Sequence, residues 1–125
     1  MRSVVVADDN REMTMAVRLL LSRFGWNVIA AYDGVTALDA IRTSGAAVAL
    51  VDIGLPKLDG LEVAKQIRAD GSACRLVAMS GFGEARDRDL ALGAGFDLHL
   101  VKPIEPAVLR AALEAATGPD EGGAR

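Results

Sequence analysis

The segment Ala46-Ala-Val-Ala-Leu-Val-Asp52-Ile-Gly-Leu-Pro-Lys-Leu-Asp-Gly60 constrains the chain more than any other, because it sets one carboxylate at the end of its most water-averse run. Six apolar residues, most of them small or β-branched and without polar alternation, predict a strand covered on both faces, as in the middle of a parallel sheet. Gly54, Pro56 and Gly60 then punctuate the chain, so it leaves the sheet in a loop before the next helix. Asp52 falls at the strand's carboxyl end, the edge at which open α/β sheets bind ligands. On this stretch alone, Asp52 could equally be the cap of a turn.

The rest of the chain repeats a strand–helix rhythm five times. Ser3 to Asp8 is an apolar run ending in acids. Residues 10–24 follow with Met13, Ala16, Val17, Leu20, Leu21 and Phe24 at helical spacing until Gly25. Asn27 to Tyr32 reads as a second strand, and Asp33 caps a helix that turns Ala37, Leu38 and Ile41 inward. The helix after the opening segment, about 59–69, carries Leu61, Val63, Ala64 and Ile67 on its inner face. Arg75 to Ser80 is a fourth strand, followed by a charge-rich helix with the thinnest apolar face of the five. Leu98 to Val101 is a fifth strand. Lys102-Pro103 breaks it, and Pro106 opens a last helix with Val108, Leu109, Ala112, Leu113 and Ala116 inward. With 125 residues there is room for one domain, expected over 1–117, with 118–125 a flexible tail. Strand and helix alternating at this pace predict a single doubly wound α/β sheet of five parallel strands with helices on both faces.

In such a sheet all five strand ends meet at one edge. The residues there are Asp8 and Asp9, Asp52, Ser80 and Lys102. Asp8 and Asp9 alone would read as acids favoured at a helix N-terminus, but acids on two strands, a hydroxyl on the fourth and an amine on the fifth form a set with chemistry. A formal net charge of −3 without any Lys/Arg cluster argues against nucleic acid as a partner. The single Cys74 can make neither an internal disulfide nor a zinc site and is expected to be a buried structural thiol. No run approaches the ~20 apolar residues of a membrane span, and the N-terminus lacks a signal-peptide pattern, so a soluble cytoplasmic protein is expected.

Val-Val-Val-Ala-Asp8-Asp9-Asn, Leu-Val-Asp52-Ile-Gly-Leu-Pro-Lys-Leu-Asp-Gly60, Val-Ala-Met-Ser80-Gly and Leu-Val-Lys102-Pro103 together resemble the receiver domains of two-component response regulators, in order and in spacing, from about residue 2 to residue 117. The resemblance implies a flavodoxin-like strand order 2-1-3-4-5 and a phosphoacceptor at Asp52. It also implies a Mg²⁺ site in which Asp9 ligates directly, Asp8 chiefly through water, and Gly54 through its backbone carbonyl beside Asp52. Ser80 and Lys102 would hold phosphoryl oxygens, and Pro103 would follow a cis peptide bond. Elementary chemistry agrees: clustered carboxylates repel, a hard divalent cation relieves them, and a carboxylate can attack a phosphoryl group to give an aspartyl phosphate.

The function expected is a phosphoacceptor that takes its phosphoryl group from a histidine kinase or a histidine phosphotransfer protein. It would signal through protein contacts, as a stand-alone receiver or as a module of a hybrid kinase, which Phe96-Asp-Leu-His-Leu-Val-Lys102-Pro resembles. The alternative is a Mg²⁺-dependent small-molecule phosphohydrolase of the haloacid-dehalogenase type, but that chemistry wants a second Asp where Gly54 stands. Departures from the family pattern are informative. Gly54 and Phe82 occupy positions where relatives often carry polar side chains that influence a hydrolytic water, so a long-lived phosphoryl group is expected. Met15 and Leu19 fall outside the inner stripe of the first helix and are candidates for kinase contact. His99, the only histidine, stands three residues before Lys102, where the family commonly has Tyr or Phe, and is expected to act with Ser80 as the switch. Burial disfavours its charged form, so an inward His99 should be neutral and the inward state less favoured at acid pH.

Overall fold

The computed structural model describes residues 2–81 and 85–117. Five strands, β1 (Ser3–Ala7), β2 (Asn27–Ala31), β3 (Val48–Asp52), β4 (Arg75–Ser80) and β5 (Leu98–Val101), form one all-parallel sheet in the order β2-β1-β3-β4-β5. Five helices alternate with them: α1 (Arg11–Arg23), α2 (Gly34–Ser44), α3 (Gly60–Ala69), α4 (Ala85–Ala94) and α5 (Pro106–Thr117). The expected order and the doubly wound class are both present. β3 lies at the centre, and all five of its residues are buried, as its unbroken apolar run requires.

Alternate residues of each strand feed two separate cores. Val5, Ala7, Ala49, Val51, Leu76 and Ala78 pack with residues of α2, α3 and α4, while Val4, Val6, Leu50, Val77 and Met79 pack with Leu21, Leu109 and Leu113 of α1 and α5. Val4, Val5 and Val6 are wholly buried, each such side chain contributing about 1.5–3 kcal/mol. Trp26 and Phe96 are buried as well and add an aromatic ring to each core.

Side-chain caps start α1, α2 and α3. Asn10 Oδ1 accepts from the Met13 amide at 3.0 Å, Asp33 Oδ1 from Thr36 at 2.8 Å, and Asp59 Oδ1 from Glu62 at 2.9 Å. Two glycines are there because chain segments meet. A Cβ on Gly34 would run into the backbone of Leu58, and one on Gly60 into the backbone of Asp52 and Ile53. The Gly34 amide donates to Pro56 O and the Gly60 amide to Ile53 O, each at 3.0 Å, so the loop after β3 is pinned to two helix starts.

The helix faces differ from expectation at three positions. Ala16 is exposed and Thr14 is buried on α1, because Thr14 Oγ1 donates to Asn10 O at 2.9 Å and so satisfies its hydroxyl while turned inward. Val108, expected inside, is 44% exposed, leaving Leu109, Ala112 and Leu113 to seat α5. Phe82 and residues 118–125 lie outside the described residues, as does the side chain of Ala116.

Candidate active site

Asp8, Asp9, Asp52, Ser80 and Lys102 stand together at the carboxyl edge of the sheet because parallel strands deliver their ends to one side. Asp8 follows β1 directly and is 1% exposed. Both of its carboxylate oxygens are used: Oδ1 accepts from the Asn10 amide at 2.9 Å and Oδ2 from Lys102 Nζ at 2.6 Å. Asp52 closes β3, with Oδ1 accepting from the Gly54 amide at 3.0 Å and Oδ2 from Lys102 Nζ at 3.2 Å. Asp9 is exposed, and carboxylate oxygens of Asp8, Asp9 and Asp52 lie within 4.8 Å of one another.

Lys102 is placed by the end of β5. Its amide donates to Ser80 O at 2.8 Å, and the bond to Pro103 that follows is cis, as expected. Burial pulls the ammonium's pKa down, but its hydrogen bond to Asp8 and the charges of Asp52 and Asp8 outweigh it, so the pKa lies above that of an ordinary lysine. The ammonium is thus held charged between two carboxylates. Three clustered carboxylates and one lysine leave a net negative site, and the groups that could ligate a cation are all oxygens.

Ser80 ends β4 and is 3% exposed. Its Oγ lies 2.8 Å from His99 Nε2. The register of β4 and β5 sets Ala78 beside His99, which puts the side chains of Ala78, Ser80 and His99 on one face of the sheet and lets the half-buried ring reach Ser80 diagonally. Sequence reasoning associated these two residues but had no register from which to find the bond. It also missed Asn10 and Thr14, which hold the Asp8 segment in place. Thr14 Oγ1 also approaches Asp8 O at 3.2 Å, and the signal was present as a capping-type Asn followed four residues later by a hydroxyl.

A largely apolar cleft of about 620 Å³ between α1 and α5 opens beside Lys102 and is lined by Met13, Val17, Leu20, Met79, Ile104 and Leu109, among others. Met15 and Leu19 are each 64% exposed on α1, as their place outside the stripe implied. Trp26 is buried under the Arg2 guanidinium, 4.8 Å from its ring centre, away from the acidic cluster. Among the described residues no helix is long and apolar enough to cross a membrane.

A five-stranded 2-1-3-4-5 sheet with this acid–lysine cluster at its carboxyl edge defines a flavodoxin-like receiver class, and comparison with known proteins agrees. Residues 4–114 match the response regulator receiver domain. The response regulator MprA of Mycobacterium sp. (strain KMS) is 36% identical over 122 residues, covering 95% of this chain and 53% of the relative. MprA of Mycobacterium avium (strain 104) is 35% identical, covering 90% of this chain and 49% of the relative. The chain therefore spans about half the length of these relatives. Among solved structures, the signal receiver domain of the response regulator NarL from Mycobacterium tuberculosis superposes with a TM-score of 0.87 at 32% identity, covering 94% of this chain and 97% of that one. The receiver domain of the sensor histidine kinase PA1611 from Pseudomonas aeruginosa, which holds a magnesium ion in its active site cleft, gives 0.84 at 27% identity, covering 91% and 95%. The chain belongs to the response regulator receiver family, the phosphoacceptor modules of two-component signalling.

Proposed function

We propose that the chain accepts a phosphoryl group on Asp52, in a Mg²⁺-dependent reaction, from a phosphohistidine on a histidine kinase or histidine phosphotransfer protein, and signals through protein contacts in the cytoplasm. The observation that carries this reading is Lys102 Nζ, held between Asp8 at 2.6 Å and Asp52 at 3.2 Å at the carboxyl edge of the sheet. A lysine bridging two carboxylates there puts a fixed positive charge where phosphoryl oxygens would gather.

The donor set suits Mg²⁺, which takes oxygen ligands and keeps several waters. Asp9 and Asp52 would ligate it directly, with the Gly54 carbonyl. Asp8, with Oδ1 and Oδ2 both already engaged, would act through water. When bound, the ion supplies further positive charge for the phosphoryl oxygens. Asp52 is the nucleophile: its carboxylate forms the new O–P bond as the donor's P–N bond breaks. Lys102 and the Ser80 hydroxyl hold the equatorial oxygens, whose charge rises in a loose transition state. The product is one aspartyl phosphate per chain, which makes the protein a phosphoacceptor signalling module and not a turnover enzyme.

Incubation with Mg²⁺ and acetyl phosphate tests the reading. One equivalent of acid-labile phosphate per chain, absent from Asp52→Asn, is the expected result. Release of many equivalents of inorganic phosphate would instead favour a phosphohydrolase.

A further inference from the structure

The chain's single imidazole is bonded to a buried hydroxyl at the edge of the candidate site, with His99 Nε2 and Ser80 Oγ 2.8 Å apart. That is the length of a full hydrogen bond, and it can be made in two ways. A hydroxyl carries one proton and an imidazole nitrogen either has one or lacks it. If Nε2 is bare, it accepts the hydrogen bond that the serine's O–H donates, and Ser80 can offer the site only lone pairs, which a phosphoryl dianion repels. If Nε2 is protonated, the imidazole donates to Oγ, and the serine's proton is left for another acceptor. The same distance therefore describes two arrangements with opposite consequences for the site.

We propose that His99 is a positioning residue that donates from Nε2–H to Ser80 Oγ when Asp52 is phosphorylated, turning the serine's proton toward the phosphoryl oxygen. The proposal rests on the phosphoacceptor reading above and adds the device that orients its hydroxyl. The backbone around Ser80 is held by the Lys102 amide on Ser80 O at 2.8 Å, so His99 acts on the rotation about the Cβ–Oγ bond. Both the neutral Nε2–H tautomer and the imidazolium carry the needed proton, so the arrangement does not depend on which is present. No proton is transferred, because Ser80 and His99 only donate hydrogen bonds while the O–P bond forms at Asp52. A phenylalanine at this position would fill the same space and remove this donor from Ser80 Oγ.

Two measurements test this. Long-range proton–nitrogen NMR spectra of nitrogen-labelled protein saturated with Mg²⁺ and beryllofluoride, a phosphoryl mimic, should show Nε2 protonated; a bare Nε2 with the proton on Nδ1 overturns the proposal. In phosphorylation by acetyl phosphate, His99→Phe should be slower by roughly fivefold, and His99→Gln, which keeps an N–H donor, should recover most of the rate. In a Ser80→Ala background the His99→Phe effect should vanish, and an effect that persists there assigns His99 a merely structural role and sinks the proposal. The two readings fail differently. A protein that takes no phosphate on Asp52 overturns the phosphoacceptor reading and this one with it, whereas phosphorylation with a bare Nε2 overturns this proposal alone.

Discussion

The two ends of the sheet each carry a polar cluster, and the two are balanced differently. At the carboxyl edge, Asp8 and Asp52 share the single ammonium of Lys102, and the exposed Asp9 adds a third carboxylate to the cluster. At the amino edge, Arg68 donates to Gly95 O at 2.8 Å, to Ser72 O at 3.1 Å, to Cys74 O at 2.7 Å and to Asp97 Oδ2 at 2.7 Å, and Asp97 Oδ2 also accepts from the Leu76 amide at 2.9 Å. Arg68 is there matched to one carboxylate and three carbonyls, and Arg75 Nε lies a further 3.9 Å from Asp97 Oδ2, so the carboxylate's charge is answered within the cluster. The second cluster ties α3 to the segments that lead into β4 and β5, and its charges answer one another. The first keeps surplus negative charge in a partly dry site, a condition that costs stability unless a cation or phosphoryl chemistry uses it.

The largest test of that contrast is Asp52→Asn. It should reduce phosphorylation by acetyl phosphate to background, since an amide is no nucleophile here. It should also change unfolding free energy without Mg²⁺ by less than about 1 kcal/mol, because relief of carboxylate repulsion offsets the weakened bond to Lys102. Intact mass after incubation and urea unfolding measure the two. A large loss of stability would place Asp52 with the structural cluster.

The amino edge should show the reverse pattern. Burial, with a smaller contribution from Asp97 and opposed by Arg68, raises the Cys74 thiol from 9.0 to about 11. At pH 8 its thiolate fraction, and so its alkylation by iodoacetamide, should be lower by roughly 100-fold than that of an unfolded chain. Because the folded pKa is the higher one, the thiol's contribution to stability is complete below pH 9.0 and declines as pH rises to about 11. A Cys74→Ala variant should lack that part of the decline. Arg68→Ala should cost roughly 2–3 kcal/mol in urea unfolding, since charged hydrogen bonds are lost together. Phosphorylation of the folded fraction should be retained. Arg68→Lys should recover only part of the loss, because a point charge cannot serve four acceptors set around a planar fork.

The carboxyl edge was legible in the sequence because each of its residues ends an apolar run, and parallel strands fix where such ends go. The amino edge was not. Arg68 reads as one more solvent-facing cation on α3, and its partners at 72, 74, 95 and 97 come from turns whose approach depends on how α3 and α4 sit on the sheet. Position along the chain also could not separate Asp8 from Asp9. The first turns inward to Lys102 and the second outward to solvent, and only the path from β1 into α1, set by the Asn10 cap and Thr14, decides which does which. The Ser80–His99 bond needed the β4–β5 register, which periodicity does not contain. The misplaced Val108 shows the limit of helical spacing, which locates an apolar stripe but not its edge.

Asp59 supplies the smallest and sharpest test, because it lies close to Asp52 in sequence and yet belongs with the balanced cluster by its bonding. Its Oδ1 accepts from the Glu62 amide at 2.9 Å, which caps α3 and uses the carboxylate as a structural acceptor. Proximity to the site would predict a catalytic penalty on its removal, whereas bonding predicts a cap penalty alone. Asp59→Ala should therefore lower unfolding free energy by about 1 kcal/mol, with Asp59→Asn recovering most of it since an amide oxygen caps equally well. Phosphorylation by acetyl phosphate should stay within about twofold in both variants, because Gly60 still donates to Ile53 O and holds the loop after β3. A rate that fell by an order of magnitude in Asp59→Asn would mean that carboxylate charge at this edge matters beyond the Asp8–Asp9–Asp52 group, and the boundary between the two kinds of cluster would have to be redrawn.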